Sequence, residues 1–350
     1  NQPTCHNSRM LIIFKEIFLP MLPKLGYLVF SKLLTILMKS RFYLPILFVI
    51  ACIACEKKVH REVKLPISDS TLFVNTPIKY WIENQEIDEA SGLAASYQNP
   101  HKFWVHNDSG GDNVLFLINA KGNGFQKLRL EGVENRDWED MAVVKNGTSS
   151  EIYIADTGDN FKWHSSKFIY RLKEPIMAEK PELTVSHIET IEFEYPDGRK
   201  DAECLLIDPV SKDIFIISNR EAEKHIYRLK YPQSTQLVNT AEFVGILNAS
   251  KEKPTDDKAS RQDLFITSGT VSNRGDEILV KNYKNIFYWK KSPNETIAQA
   301  LQHPATVLPY EVESQGEAVS FSQDLTEYYT ITEKGHRSNA VYLACYKRKK

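Results

Sequence analysis

One five-residue string occurs twice without change, as Ile169-Tyr170-Arg171-Leu172-Lys173 and Ile226-Tyr227-Arg228-Leu229-Lys230. Looser copies are Leu115-Phe116-Leu117-Ile118, Ile286-Phe287-Tyr288-Trp289-Lys290 and Val341-Tyr342-Leu343-Ala344. Counted between Leu115, Ile169, Ile226, Ile286 and Val341, the steps are 54, 57, 60 and 55 residues. A period of this length marks one repeated unit of short strands, which cannot bury its apolar face alone and must stack on its neighbours.

Two further strand types precede each copy. The first opens at Glu89, Glu139, Glu203 and Glu317, with a degenerate copy at Thr267. The second closes on a polar residue: Asn107, Asp156, Asn219, Asn282 and Glu333. From opening to closing residue the separations are 18, 17, 16, 15 and 16 residues in chain order. A fourth run follows four of the units, at residues 125–130, 187–195, 241–247 and, more weakly, 305–312. The fifth unit has none, but Ile78-Lys79-Tyr80-Trp81-Ile82 precedes the first unit and is spare. An N-terminal strand that completes the last sheet closes a ring and removes the exposed edge of an open array. The expected fold is therefore an all-β propeller of five four-stranded blades over residues 76–347. A six-bladed ring and a β-solenoid are the alternatives.

The region before the propeller has a different character. Met38-Lys39 and Arg41 form a short basic stretch, and an apolar run from Phe42 to Ala51 follows. It ends on Val49-Ile50-Ala51-Cys52-Ile53-Ala54-Cys55, ahead of Glu56-Lys57-Lys58. That layout fits a secretory signal, too short for a spanning helix. Its end resembles the bacterial lipobox, in which a cysteine becomes a lipid-modified N-terminus. Cys55 is favoured because a hydrophilic stretch follows it; Cys52 fits the aliphatic-x-small pattern better. Residues 1–37 read as an upstream extension, 38–55 as the signal peptide and 56–75 as a linker. The implied location is the cell envelope, at the outer membrane or cell surface, with the membrane touched only through the lipid. Cys204 and Cys345 sit in apolar runs and read as buried single thiols. The formal charge of −1 gives no basic footprint for nucleic acid. Residues 251–261 read as a solvated loop, and Lys347 to Lys350 as a disordered basic tail.

In a blade the start of the first strand lies beside the end of the antiparallel second, so both polar series should meet at one mouth of the ring. Glu89, Asn107, Asp156, Glu203, Asn219 and Glu317 are the candidate metal ligands. His106, Asp108, Glu139, Asp159, Arg220 and Glu333 are candidates for ligand contact, with Asp112, Asp137, Asp140, Asn160 and Asp201 in nearby loops. Carboxylates crowded at a narrow channel repel one another unless a cation compensates. An oxygen-only donor set suits a hard cation, calcium above others. The plainer alternative is that these residues cap strand ends and are repeated because the blades share an ancestor. His106 is a candidate general base. Trp138 reads as packing between blades.

Glu89-Ala90-Ser91-Gly92-Leu93-Ala94, His106-Asn107-Asp108-Ser109-Gly110, Asp137-Trp138-Glu139-Asp140 and Asp156-Thr157-Gly158-Asp159-Asn160 resemble motifs of a family of exported bacterial propeller lipoproteins without a settled activity. The fourth unit departs from the pattern at Thr267. More distantly, the channel chemistry is similar to that of calcium-dependent propeller lactonases and propeller phytases. The resemblance implies an exported propeller and its location; the polar residues themselves suggest a membrane-tethered monomer that binds a small molecule or envelope protein at its acidic mouth, with calcium a candidate cofactor. The alternative is a calcium-dependent hydrolase of a phosphoester or lactone, with metal held by Glu89, Asn107, Asp156 and Glu203.

Overall fold

The computed structural model describes residues 69, 71–249, 264–334 and 340–350, all within the unit 66–350. Cys52, Cys55 and the loop 251–261 lie outside the described residues. The strands are, in chain order, β1 (Ile78–Trp81), β2 (Ala90–Ala95), β3 (Lys102–Asn107), β4 (Val114–Asn119) and β5 (Phe125–Leu130). Next come β6 (Trp138–Asn146), β7 (Ser149–Asp156), β8 (Ser166–Lys173), β9 (Glu182–Val185) and β10 (Glu189–Glu194). Then follow β11 (Ala202–Ile207), β12 (Ile214–Ser218), β13 (His225–Leu229), β14 (Asn239–Thr240) and β15 (Glu242–Ile246). The last are β16 (Ile266–Val271), β17 (Glu277–Asn282), β18 (Ile286–Lys290), β19 (Thr306–Leu308), β20 (Gly316–Phe321), β21 (Glu327–Thr332) and β22 (Tyr342–Lys347). A four-residue helix, α1 (Ile297–Ala300), interrupts the fourth unit behind a capping box made by Thr296 and Gln299.

These strands form five sheets, and the inner strands β2, β6, β11, β16 and β20 lie side by side in a closed ring. The protein is a five-bladed β-propeller. As expected from the spare N-terminal run, β1 pairs antiparallel with β22 and completes the fifth blade, Tyr80 opposite Leu343. Strand position explains hydrophobic pattern. Inner strand β2 is buried at every residue, whereas outer strand β5 alternates from exposed Phe125 to buried Gln126 and onward. An inner strand has a blade on each side and so needs small or apolar residues throughout; an outer strand has one wet face.

Alternation also sends successive inner residues to opposite neighbours. Leu93 packs with Ala318 and Tyr329 of the fifth blade, while Ala94 joins Met141 and Ile154 of the second. Leu205 and Leu206 part in the same way, toward the second and fourth blades. The result is one apolar cluster between each pair of adjacent blades. Cys204 and Cys345 are free and buried within two of these clusters, as expected. Trp138 is buried between the first and second blades.

Two features differ from expectation. The short strands β9 and β14 add a fifth member to the first two sheets, each pairing in parallel with the outer strand of a blade. They are too short and polar to show in the sequence pattern. The C-terminal basic residues are also not a loose tail. Arg348 donates to Glu277 at 2.5 Å and to the Leu325 carbonyl at 2.8 Å. Its guanidinium lies 4.5 Å from the ring centre of Phe73, which is fully buried against Tyr328.

Candidate metal centre at the channel mouth

The same local defect in every inner strand builds the mouth. Each pairing shifts register by one residue, leaving Ser91, Glu139, Glu203, Thr267 and Glu317 as bulged residues. A bulge re-aims its side chain and ends regular pairing, which is how one position can face a channel in all five blades. The register makes Ser91, not Glu89, the counterpart of Glu139. Glu89 instead matches Asp137, Asp201 and Gln315, two residues before their bulges. The backbone carbonyls of these four accept the amides of Asp108, Gly158, Asn219 and Glu333 at 2.8, 3.2, 2.9 and 3.0 Å. The separation of 18 residues counted from Glu89 was thus two too long.

Carboxylates at the bulges and two residues before them converge on the second and third blades. Asp108, Asp137 and Glu139 present oxygens within 4.8 Å of one another, and so do Glu139, Asp201 and Glu203. Glu139 belongs to both groups. Gly158 makes room for the first: a Cβ at that position would collide with the carboxylates of Glu139 and Asp137. Burial, then the carboxylates of Glu203, Asp108 and Asp137, raise the Glu139 carboxyl well above the usual range. Burial also pushes Asp108 up to about 7 and Asp137 up to about 6, with neighbouring acids adding to both. Glu203 is raised by burial and by Asp201 and Glu317, against Arg220.

Fixed cations meet part of this charge. Arg220 donates to Asp201 and to Asn160, and its guanidinium lies 4.7 Å from the ring centre of Phe265. Lys281 is fully buried and donates to the carbonyls of Gly316 and Asn282, the latter at 3.1 Å. Burial lowers its pKa, while the charges of Glu313 and Glu317 oppose that shift. Tyr283 donates to Glu317 at 3.1 Å. Glu317, pushed up to about 8 by burial, is therefore served by a lysine and a phenol. Among the described residues no lysine, arginine or phenol donates to Glu139.

The remaining candidates take varied places. Asn219 is fully buried and donates through Nδ2 to Glu203, leaving Oδ1 buried without a partner among the described residues. Asn107 donates to the Glu86 carbonyl at 2.7 Å, and its Oδ1 is likewise buried and unpartnered. Asp156 turns toward Arg136 at 3.2 Å and the Tyr170 hydroxyl at 3.3 Å. Glu89 is exposed, and Glu333 accepts from Gln315 at 2.8 Å. Asp159 accepts the amides of Trp163 and His164 at 2.7 and 2.9 Å and pairs with Lys167 at 3.1 Å. His106 is fully buried, its Nδ1 2.9 Å from the Asn107 carbonyl and its ring edge-on to Trp138. Burial drives it down to about 4, so it is neutral at ordinary pH.

Asp137 and Asp201 belong to the centre although the sequence pattern placed them only in nearby loops. The signal was present: Asp137-Trp138-Glu139 and Asp201-Ala202-Glu203 repeat an Asp-x-Glu spacing, with one carboxylate at the bulge and another two residues before it. Lys281 and Gly158 carried no comparable mark.

No protein-family model matches the chain, and no curated protein does. Among solved structures, the PQQ-bound aldose sugar dehydrogenase of Streptomyces coelicolor is 8% identical with a TM-score of 0.41, covering 79% of this chain and 99% of that one. A gluconolactonase of Xanthomonas campestris is 11% identical with a TM-score of 0.39, covering 74% of this chain and 72% of that one. The fold assignment rests on the sheet topology itself.

Proposed function

We propose that the mouth binds one calcium ion between the second and third blades, and that this ion holds a ligand for an exported, lipid-anchored propeller. The observation that carries the reading is the pair of three-carboxylate groups sharing Glu139, beside an Asn219 Oδ1 that is buried with no donor among the described residues. An acceptor-only oxygen buried without a partner costs about 1–3 kcal/mol. A cation satisfies it and relieves the carboxylate repulsion together. All the donors are oxygens, the chemistry of calcium rather than of zinc or copper. The donor set would be Asp108, Asp137, Glu139, Asp201 and Glu203, with Asn219 adjoining.

Ligand binding is favoured over hydrolysis because the candidate base His106 is enclosed in the protein. The small-molecule or envelope-protein partner, the monomeric state and the tether through Cys55, or Cys52, belong to the same reading. Calorimetric titration of chelator-treated protein with calcium tests the centre. One saturable site is expected, with Glu139→Gln weakening it at least tenfold. No binding heat, together with a melting temperature indifferent to chelator, would sink the proposal. Labelling with a fatty-acid analogue tests the tether. Label that survives replacement of both Cys52 and Cys55 rules the anchor out.

A further inference from the structure

We infer that the loop following Asp156 carries a carbohydrate platform at the edge of the mouth, and that its ligand is a pyranose bearing a carboxylate. The inference rests on the calcium reading for the carboxylate and on separate observations for the ring. Phe161 and Trp163 are among the most exposed large apolar side chains, 71% and 68% accessible. They nevertheless stack on each other, with ring centres 4.8 Å apart and planes inclined by 19°. Each ring braces the other, so the stack offers flat aromatic faces whose position is fixed before a ligand arrives.

Buried groups fix the loop that holds them. Asp159 receives the amides of Trp163 and His164 and an ion pair from Lys167, whose side chain is wholly buried. The Asp159 amide donates to Asp201 Oδ1 at 2.7 Å, which ties the loop directly to the acidic centre. Arg220 bridges Asn160 to Asp201, and Lys162 pairs with Glu221 at 3.3 Å. Lys162 has a left-handed backbone, φ 54°, at the turn between the two rings. A loop serving only as a connection has no need of a buried ion pair beneath two exposed aromatic rings.

The surroundings select the ligand. Asn160, Lys162, His164, Ser165 and Arg199 are all exposed, so among the described residues the stack lies in a stretch rich in hydrogen-bonding groups. A protein interface core would extend the apolar patch. A nucleic acid or an anionic lipid surface would meet the carboxylates of the mouth. A pyranose suits both requirements, with its C–H face on the aromatic ring and its hydroxyls among the polar groups. A carboxylate on that ring would reach for the calcium, while the exposed Arg199 complements its charge.

The test is calorimetric titration of the full chain with trigalacturonate, with cellotriose as the neutral control. Titration with calcium alone is run on the same samples. Saturable trigalacturonate binding in calcium is expected, at least tenfold weaker in chelator and at least tenfold tighter than cellotriose. The double variant Phe161→Ala, Trp163→Ala should lose at least tenfold in sugar affinity and bind calcium as before. If calcium binds and trigalacturonate does not, or the double variant binds sugar normally, the platform is refuted while the metal centre stands. If calcium itself fails to bind, the reading beneath both is refuted.

Discussion

Asp140 gives the sharpest test of how the ring is held together. It lies one residue past the bulge of β6, fully buried in the channel. Its Oδ1 accepts from the Met141 amide at 2.9 Å and the Ser268 hydroxyl at 3.0 Å. Its Oδ2 accepts from the Leu205 amide at 2.9 Å and the Gly269 amide at 3.0 Å. One carboxylate thus joins the inner strands of the second, third and fourth blades. Burial pushes its pKa up to about 8, and the four donors act in the opposite direction. Three of the four contacts are backbone amides, which can only donate, and the Ser268 oxygen already accepts from the Val319 amide at 3.2 Å, so the geometry favours the charged form. In Asp140→Ala, Ser268 can turn away but three amides lose their partner. At about 1–3 kcal/mol for each buried unsatisfied group, offset where water enters the space, the loss should be about 3–5 kcal/mol. In Asp140→Asn, the remaining oxygen can serve Leu205 and Gly269, and Ser268 can rotate to accept. Only the Met141 amide then faces a donor, for a loss of about 1–3 kcal/mol. Urea denaturation measures both, with an unchanged slope required for the comparison. An Asn variant as stable as the parent would refute the reasoning, because it would make the native group a neutral acid.

Other consequences are as direct. Gly158→Ala should displace Glu139 and Asp137 and weaken calcium at least tenfold while the circular dichroism spectrum stays native; unchanged calorimetry would remove Gly158 from the site. In chelator, stability should fall as pH rises from about 4 to about 7. The mouth carboxyls have folded pKa values above their unfolded values near 4, so their ionisation disfavours the folded state through the shifts of Asp137 and Asp108 to about 6 and 7. Saturating calcium should flatten that slope, and parallel melting curves with and without calcium would contradict it. Phe73→Ala should cost about 3–5 kcal/mol by emptying the contact between Tyr328 and Arg348, as read from the urea midpoint; a loss below about 1 kcal/mol would mean that the segment before β1 does not secure the fifth blade.

The strand order was legible because blade geometry imposes it on composition. An inner strand packed on both sides must be apolar or small, as in Ala90–Ala95, and a recurring outward strand must alternate, as in Phe125–Leu130. Those requirements recur in each blade and so appear as a period. The mouth was legible only as a zone. Glu89 and Glu139 look equivalent in sequence, and a bulge of one residue separates their roles. A register shift changes which face a side chain meets without changing the residues themselves. Gly158 was invisible for a related reason, since its significance lies in carboxylates from β6 and the turn before it.

The departure in the fourth blade explains why the centre is lopsided. A ring with five equivalent carboxylates would have no reason to place a cation between one pair of blades. Here the first blade has Ser91 at the bulge, and its hydroxyl donates to the Glu139 carbonyl at 2.6 Å. The fourth blade has Thr267 at the bulge and Lys281 beneath it, whose charge opposes those of Glu313 and Glu317. Among the described residues Arg220 meets Asp201 and Glu203, while Glu139 and Asp108 accept from no lysine or arginine. Repetition alone supports a scaffold, because a scaffold asks the same of every blade. The loss of repetition at Ser91, Thr267 and Lys281 is what distinguishes a site, and it concentrates the acidic groups on the second and third blades, where a cation would relieve their repulsion.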